Sequence, residues 1–332
     1  MQTRLVVVHA LSPLHAGTGQ GTGHIDLPVQ RDRASRHPLL PGSSIKGCLR
    51  DRASGTPSIP SRELAVLFGP DFAEESDTKA REREARGRNR PDGAEDKALP
   101  SHFAAALRFS DARVVLFPVQ SDRGTFAWVT CPYVLERLRR DVGPDLSGLT
   151  AKSRAPGPAA DGQAAVASDS VLVSGGKKGE GGKVILDGLP FTSTVPEGFD
   201  RWAGDLASRV FPGTDAQAVL WQGMLRRRLC IVDDDSFTWF VEQATEVRAR
   251  IRINDATGTV TNGGLWYEEC LPAETVLMGL VQHVPQKDSD IRLPHDRAWS
   301  VLSSLVDTPM QLGGKATVGH GLARVHLVGG AG

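Results

Sequence analysis

The sequence predicts an α+β fold, and three observations carry that prediction. Strands, helices and a hairpin alternate along the chain without the regular strand–helix–strand spacing of a doubly wound sheet. Residues 246–272, EVRARIRINDATGTVTNGGLWYEECLP, alternate on either side of a turn at NDATG, the pattern of a long β-hairpin. Helices open behind clear start signals at Pro41-Gly42-Ser43-Ser44 and at Pro132. With 332 residues the chain is long enough for a substantial core, and a single domain over 1–332 is expected.

The elements follow in order. Residues 3–10 are rich in Val and Leu and read as a buried strand. Residues 16–24, AGTGQGTGH, form a loop in which glycine permits close backbone approach. Residues 38–53, PLLPGSSIKGCLRDRA, contain a helix that Ser43 or Ser44 would cap. Its Ile45 and Leu49 face the core, and Lys46 and Arg50 share another face, because residues four apart are neighbours on a helix. Residues 71–100 are densely charged with few large apolar side chains, which suits a solvated insertion. Order returns with strands over 107–121 and a helix from Pro132 to just before Gly143. The Ala-, Gly- and Lys-rich stretch 151–183 reads as an exposed loop. Helices are expected near 214–228 and 236–244, the second capped by Asp235 or Ser236. A strand at 274–284, a helix at 295–306 and the Gly-rich LGGKATVGHG (312–321) before a last strand complete the chain.

Composition narrows the function. Lys plus Arg and Asp plus Glu each number 39, so net charge is zero. A free-standing nucleic-acid binder usually carries a basic excess. A subunit held by neighbours needs less attraction of its own. The four cysteines, Cys48, Cys131, Cys230 and Cys270, form no C-x-x-C pair, which argues against a zinc site and against a disulfide framework. No apolar run approaches a membrane span, so no membrane partner and a cytoplasmic location are expected.

Several residues could carry chemistry. The helix start at Ser43 and Ser44, with Lys46 beside it, could cradle a phosphate through free amides and a partial positive charge. An ordinary capped helix with a solvated lysine fits the same residues. Asp26 lies in irregular chain beside the Gly-rich loop. There a carboxylate could orient a ribose 2′-hydroxyl or hold a divalent cation at a scissile phosphate, or it could be a plain turn aspartate. His15, titrating near neutrality, is its natural acid–base partner. Glu268 and Glu269 form an acidic pair after Trp266 and Tyr267. Arg248, Arg250 and Arg252 alternate, which puts all three on one face of a strand, with Val247, Ile251 and Ile253 on the other. Such a row suits phosphate contacts or a solvated outer face. Gly313 and Gly314 open a loop that lacks the spacing of a P-loop.

Taken together and in order, these pieces are more specific than any one. GHIDLPVQRD, PGSSIKGCLRD, LRFSDARVVLFPVQS, VEQATEVRARIRI, GGLWYEECLP and LGGKATVGHG resemble the family of fourth RAMP-superfamily subunits of type III-B (Cmr) CRISPR effector complexes. The resemblance covers nearly all of the chain outside 71–100 and 151–183. It implies a modified ferredoxin-like, RNA-recognition-type palm with finger insertions and a projecting β-hairpin thumb at 245–272. It further implies copies stacked in a helical filament on a guide RNA, among other type III-B subunits, cutting the paired target RNA at regular spacing. Asp26 falls on the family's cleavage aspartate, and His15 and Glu268, from the residues themselves, are the candidate helpers. Lys46 falls on the family's guide-binding lysine, and Ser43, Ser44, Arg50, Arg248, Arg250, Gly313 and Gly314 are further RNA-binding candidates from the residues themselves. A divalent cation, Mg2+ or Mn2+, is the expected cofactor, held in part by Asp26. Lys315 and His320 depart from the family pattern, which commonly has an acidic residue and an arginine there. Other readings are a non-catalytic RNA-binding subunit, the type III-A counterpart, or a guide-processing ribonuclease of the same superfamily.

Overall fold

The computed structural model describes residues 1–21, 23–70, 103–142, 156–158, 160–176, 181–288 and 291–329. The charged segment 71–100 lies outside them, as do parts of 151–183. The described strands are β1 (Gln2–Ala10), β2 (Leu39–Leu40), β3 (Leu107–Phe109), β4 (Ala112–Gln120), β5 (Phe126–Thr130), β6 (Gln163–Val166), β7 (Lys183–Leu186), β8 (Leu189–Thr194), β9 (Leu229–Ile231), β10 (Glu246–Ile253), β11 (Val260–Cys270), β12 (Val276–His283), β13 (Met310–Gln311) and β14 (Leu322–Val328). The described helices are α1 (Gly42–Ser54), α2 (Ser61–Phe68), α3 (Pro132–Val142), α4 (Phe199–Val210), α5 (Ala216–Arg228), α6 (Asp234–Gln243) and α7 (His295–Val306). The fold is mixed α+β.

The chain divides into two compact units. The smaller pools three distant segments, Met1–Gln2, Leu49–Arg108 and Gln282–Leu305. Val66 of α2, Ala106 and Ile291 form its apolar cluster, with Phe103 and Leu293 packed against them. Glu63 pairs with Arg297 at 2.8 Å.

The larger unit, Thr3–Cys48, Phe109–Val281 and Val306–Gly332, is organised by a mixed sheet. The strand order is β13-β14-β1-β12-β4-β5-β9-β6-β8-β7, with β2 on β4. In β1, Leu5, Val6, Val7, Val8 and Ala10 are all buried. Consecutive buried residues mean that both faces of the strand are covered, which is why this segment reads as a continuous apolar run.

Three expectations change. The stretch 151–183 is not simply a loop: its residues 163–166 are β6, hydrogen-bonded between β9 and β8, with Ala164, Ala165 and Val166 buried. Alanines carry little strand propensity, so pairing partners rather than local preference make this strand. The cap of α6 is Asp233, not Asp235 or Ser236. Its carboxylate accepts the Ser236 amide at 2.7 Å and the Ser236 hydroxyl at 2.8 Å. Helix α4 is an addition, although Phe199, Trp202, Ala203, Leu206, Ala207 and Val210 write a helical stripe and all are buried.

The hairpin of β10 and β11 is a separate two-stranded sheet. Ala249 pairs with Tyr267, Arg250 with Trp266 and Ile251 with Leu265. Partners directly opposite share a face. One face therefore carries Arg248, Arg250, Trp266 and Glu268, and the other Val247, Ile251, Leu265 and Tyr267. The four apolar side chains of that second face are 42–54% exposed, so no described residue of the chain covers it.

Candidate functional site

Residues 16–30 fold back on themselves. Gln30 donates to the Ala16 carbonyl at 2.7 Å, and Gly21 donates to the Asp26 carbonyl at 2.7 Å. The loop ends against the free edge of β11. Leu27 donates to Tyr267 at 3.1 Å, and Glu269 donates to Leu27 at 3.0 Å. Asp26 is exposed, and one of its carboxylate oxygens, Oδ2, accepts the Tyr267 amide at 2.7 Å. His15, buried, donates from Nδ1 to the Glu269 carbonyl at 2.7 Å. That bond leaves Nε2 as the acceptor nitrogen. Two of the predicted catalytic residues are thus fastened to one strand edge, at positions two residues apart.

Two glycines make this approach possible. A Cβ on Gly17 would lie 2.5 Å from His15 Nε2. Gly313 has φ +71°, and a Cβ there would lie 2.4 Å from the His15 carbonyl oxygen. The same carbonyl accepts the Gly314 amide at 2.9 Å. The two Gly-rich loops of the sequence are therefore neighbours. With α1 they border an open cleft of ≈ 550 Å³, lined by His15, Gly17, Leu27, Ser44, Gly313 and Lys315 among others.

The start of α1 differs from expectation. Neither Ser43 nor Ser44 caps it: helix begins at Gly42, and the Gly42 amide is taken by Asp111 Oδ1 at 3.0 Å. A carboxylate there offsets part of the helix dipole. A cap 69 positions away leaves no local signal in the sequence. Ser44 still reaches the cleft. Arg50, in the smaller unit, donates to the Pro70 carbonyl at 3.3 Å.

The arginine face of the hairpin is braced from below. Glu268, only 2% exposed, receives Lys315 Nζ at 2.7 Å, Trp266 Nε1 at 2.7 Å and Arg250 Nε at 3.2 Å. Burial alone would raise its pKa, but the hydrogen bonds from Lys315, Trp266 and Arg250 outweigh burial and hold it at about 2. A carboxylate saturated with donors suits holding cations in place better than accepting a proton. Glu269 points to the other side, where it binds the Val29 amide at 2.9 Å, Thr245 Oγ1 at 2.9 Å and the Arg31 guanidinium. The two adjacent glutamates are therefore separate struts, one for each face of the hairpin base.

His320 is a residue whose role the sequence did not reveal. Its Nε2 lies 3.2 Å from both Arg248 Nη1 and Arg250 Nη2, and its Nδ1 lies 3.4 Å from Cys270 Sγ. Burial, then the charges of Arg248 and Arg250, lower its pKa. A neutral imidazole accepting from two guanidiniums holds both arginines side by side. Lys315 and His320 thus both serve the arginine face. Leu265 and Trp266 point to opposite faces of the hairpin, since side chains alternate along a strand.

Among the described residues, no group of three or more His, Cys, Asp or Glu could hold a metal ion. A single exposed carboxylate such as Asp26 could hold a divalent cation only if the remaining ligands came from outside the chain, which is compatible with the way Mg2+ keeps waters and binds through one or two carboxylates. No helix among them is long and apolar enough to cross a membrane.

Comparison with known proteins places this geometry in context. The family model of the RAMP superfamily matches residues 7–324. The CRISPR system Cmr endoribonuclease Cmr4 of Pyrococcus furiosus is 32% identical over 328 residues, covering 98% of this chain and 96% of that protein. Oligomeric Cmr4 from Pyrococcus furiosus matches in structure with a TM-score of 0.67 at 23% identity, over 100% of both chains. A chain of the type III-B Cmr-beta complex bound to cognate target RNA matches with a TM-score of 0.64 at 17% identity, over 98% of this chain and 97% of that one.

Proposed function

The chain belongs to the RAMP superfamily, and from that premise we propose that it is a guide-RNA backbone subunit of a type III-B CRISPR effector that cleaves guide-paired target RNA. The observation that carries the reading is 32% identity over nearly the full length to an endoribonuclease of that system, together with Asp26 anchored on the hairpin edge. On this reading copies stack along the guide, beside other type III-B subunits, in the cytoplasm where transcripts are met. The strand order β14-β1-β12-β4, with α1 after β1 and α7 before β14 in sequence, supports a ferredoxin-like palm. The hairpin acts as the thumb, and its exposed apolar face suits cover by a neighbouring copy or by bases.

The chain's own groups divide the work. Lys46, Ser44 and the glycine loop at 313–314 hold guide phosphates, leaving sequence reading to base pairing. Arg248 and Arg250, steadied by His320 and Glu268, face the strand across the hairpin. Asp26 has one oxygen on the Tyr267 amide and lone pairs left for a target 2′-hydroxyl. Holding that hydroxyl in line with the adjacent phosphorus is catalysis by positioning. A divalent cation held by Asp26 and the RNA would offset charge on the phosphoryl oxygens.

The deciding experiment is to isolate the RNA that travels with the purified complex and then add matched target. Short guides sharing a repeat-derived 5′ tag, and target products at regular intervals, are expected. Random RNA with no cut target would defeat the proposal. Intact target bound to genuine guides would leave the non-catalytic subunit reading in its place.

A further inference from the structure

We propose that the cleft bounded by β1, β14 and α5 is a nucleotide-binding site, distinct from the loops around Asp26 and Lys46, that takes a nucleotide whose base carries an amino group. The cleft measures ≈ 280 Å³, and His9, Phe211, Trp221, Glu274, Arg324 and His326 stand around it. His9 pairs with Arg324 and Val7 with His326 across β1 and β14, so both histidines and the arginine project from one face of the sheet. Phe211 and Trp221 supply the apolar wall. Their ring centroids are 5.4 Å apart at 32°, and His9 meets Phe211 edge-on at 5.3 Å.

Glu274 is the centre of this site. Its carboxylate binds His9 Nε2 at 2.8 Å. Its backbone is left-handed, with φ +72°, a strained conformation for a glutamate. The strain is held from both sides: its amide donates to the Ala10 carbonyl at 2.7 Å, and its carbonyl accepts Trp128 Nε1 at 2.8 Å. Strained residues fixed in this way are concentrated where a side chain is aimed at a ligand.

The chemistry selects the ligand. An aromatic wall accepts a planar ring. A carboxylate only accepts hydrogen bonds, so it favours a ring edge bearing amino or imino hydrogens, guanine best and uracil least. Arg324 is exposed and makes no ion pair among the described residues, which leaves its guanidinium for a phosphate. The other carboxylate of the cleft, Asp215, is engaged in capping α5 through the amides of Gln217 and Ala218 at 2.9 and 3.1 Å. A cationic side chain would suit the aromatic wall and Glu274 but would meet Arg324. A nucleotide satisfies all three.

The occupant is either a nucleotide of a bound strand or a free one, and calorimetric titration of the full-length protein separates them. RNA-free protein should bind GMP saturably and UMP about tenfold more weakly or worse, the scale of one lost charged hydrogen bond. Glu274→Gln should abolish the preference for GMP over UMP. Arg324→Ala should reduce GMP to the affinity of guanosine, and Trp221→Ala, on a half-exposed helix position, should weaken all nucleotides. With guide RNA bound, continued GMP binding identifies a free-nucleotide site, and exclusion of GMP identifies a strand nucleotide. The proposal is overturned if GMP and UMP bind equally, if neither saturates, if Glu274→Gln changes nothing, or if acetyl-arginine amide binds in their place. Guide retention is measured on the same variants. Loss of guide RNA by the unmodified protein would count against the effector-subunit reading without touching this one.

Discussion

The backbone amide of Tyr267 donates to the Asp26 carboxylate across 2.7 Å, joining the loop that carries Asp26 to a hairpin strand 241 positions later. Asp26→Asn retains an oxygen to accept this amide while removing the charge. Assembly and target binding should persist, and cleavage should fall on the order of 100-fold or more, the range for loss of an acid–base group. Single-turnover cleavage of matched target in divalent metal checks this, and a normal rate would remove Asp26 from catalysis.

Lys46→Ala should weaken guide retention, and the loss should be largest at low salt and shrink as salt rises. A phosphate contact releases a counterion, so removing one should reduce the slope of log affinity against log salt by about 1. Filter binding from low to high salt measures it. Superimposable curves for the two proteins would exclude a phosphate contact.

His320→Ala and Arg250→Ala should part company in the same assay. Removing His320 leaves every cation in place but frees two arginines that it now holds at 3.2 Å. Affinity should fall several-fold with the salt slope unchanged. Arg250→Ala should lower both affinity and slope. An unchanged affinity in His320→Ala would show that the clamp contributes nothing to RNA binding.

Acid should destabilise the fold before Glu268 in the hairpin base is protonated. His37, His283 and His326 are each pushed down to about 4, chiefly by burial, with Arg137, His295 and Arg324 as the next contributors respectively. A histidine neutral in the folded state and protonated in the unfolded one stabilises above its unfolded pKa of about 6.5 and loses that contribution as pH falls toward 4. Glu268, held at about 2, keeps its contribution above the ordinary carboxylate range and loses it as pH falls from that range through about 2. Melting curves should therefore shift downward by several degrees between about pH 6.5 and 4.5, within the histidine range. A flat profile there would contradict the burial of these rings.

Gly313→Ala should cost roughly 1–3 kcal/mol, because it combines a left-handed backbone with a Cβ forced against a carbonyl. The clash is with the His15 oxygen at 2.4 Å, so RNA cleavage should suffer along with stability. Denaturant unfolding and target cutting on one preparation test both. Stability equal to the parent would mean that the two loops do not meet in this way.

Sequence alone determined the elements whose signals are local. The apolar run of β1, the NDATG hairpin and the helix that starts at Pro132 are written in short-range periodicity and turn chemistry. The ordered motifs were enough to identify the family. The tertiary structure decided whatever depends on residues far apart: the Asp111 cap on α1, the attachment of Asp26 and His15 to one strand edge, and the His320 clamp. It also made a strand of the alanines at 164 and 165, whose own preference is weak. Glu268 and Glu269 show the reason most plainly. As neighbours they read as one acidic pair, but a strand turns successive side chains to opposite faces. Only the folded hairpin assigns one to Arg250 and Lys315 and the other to Arg31.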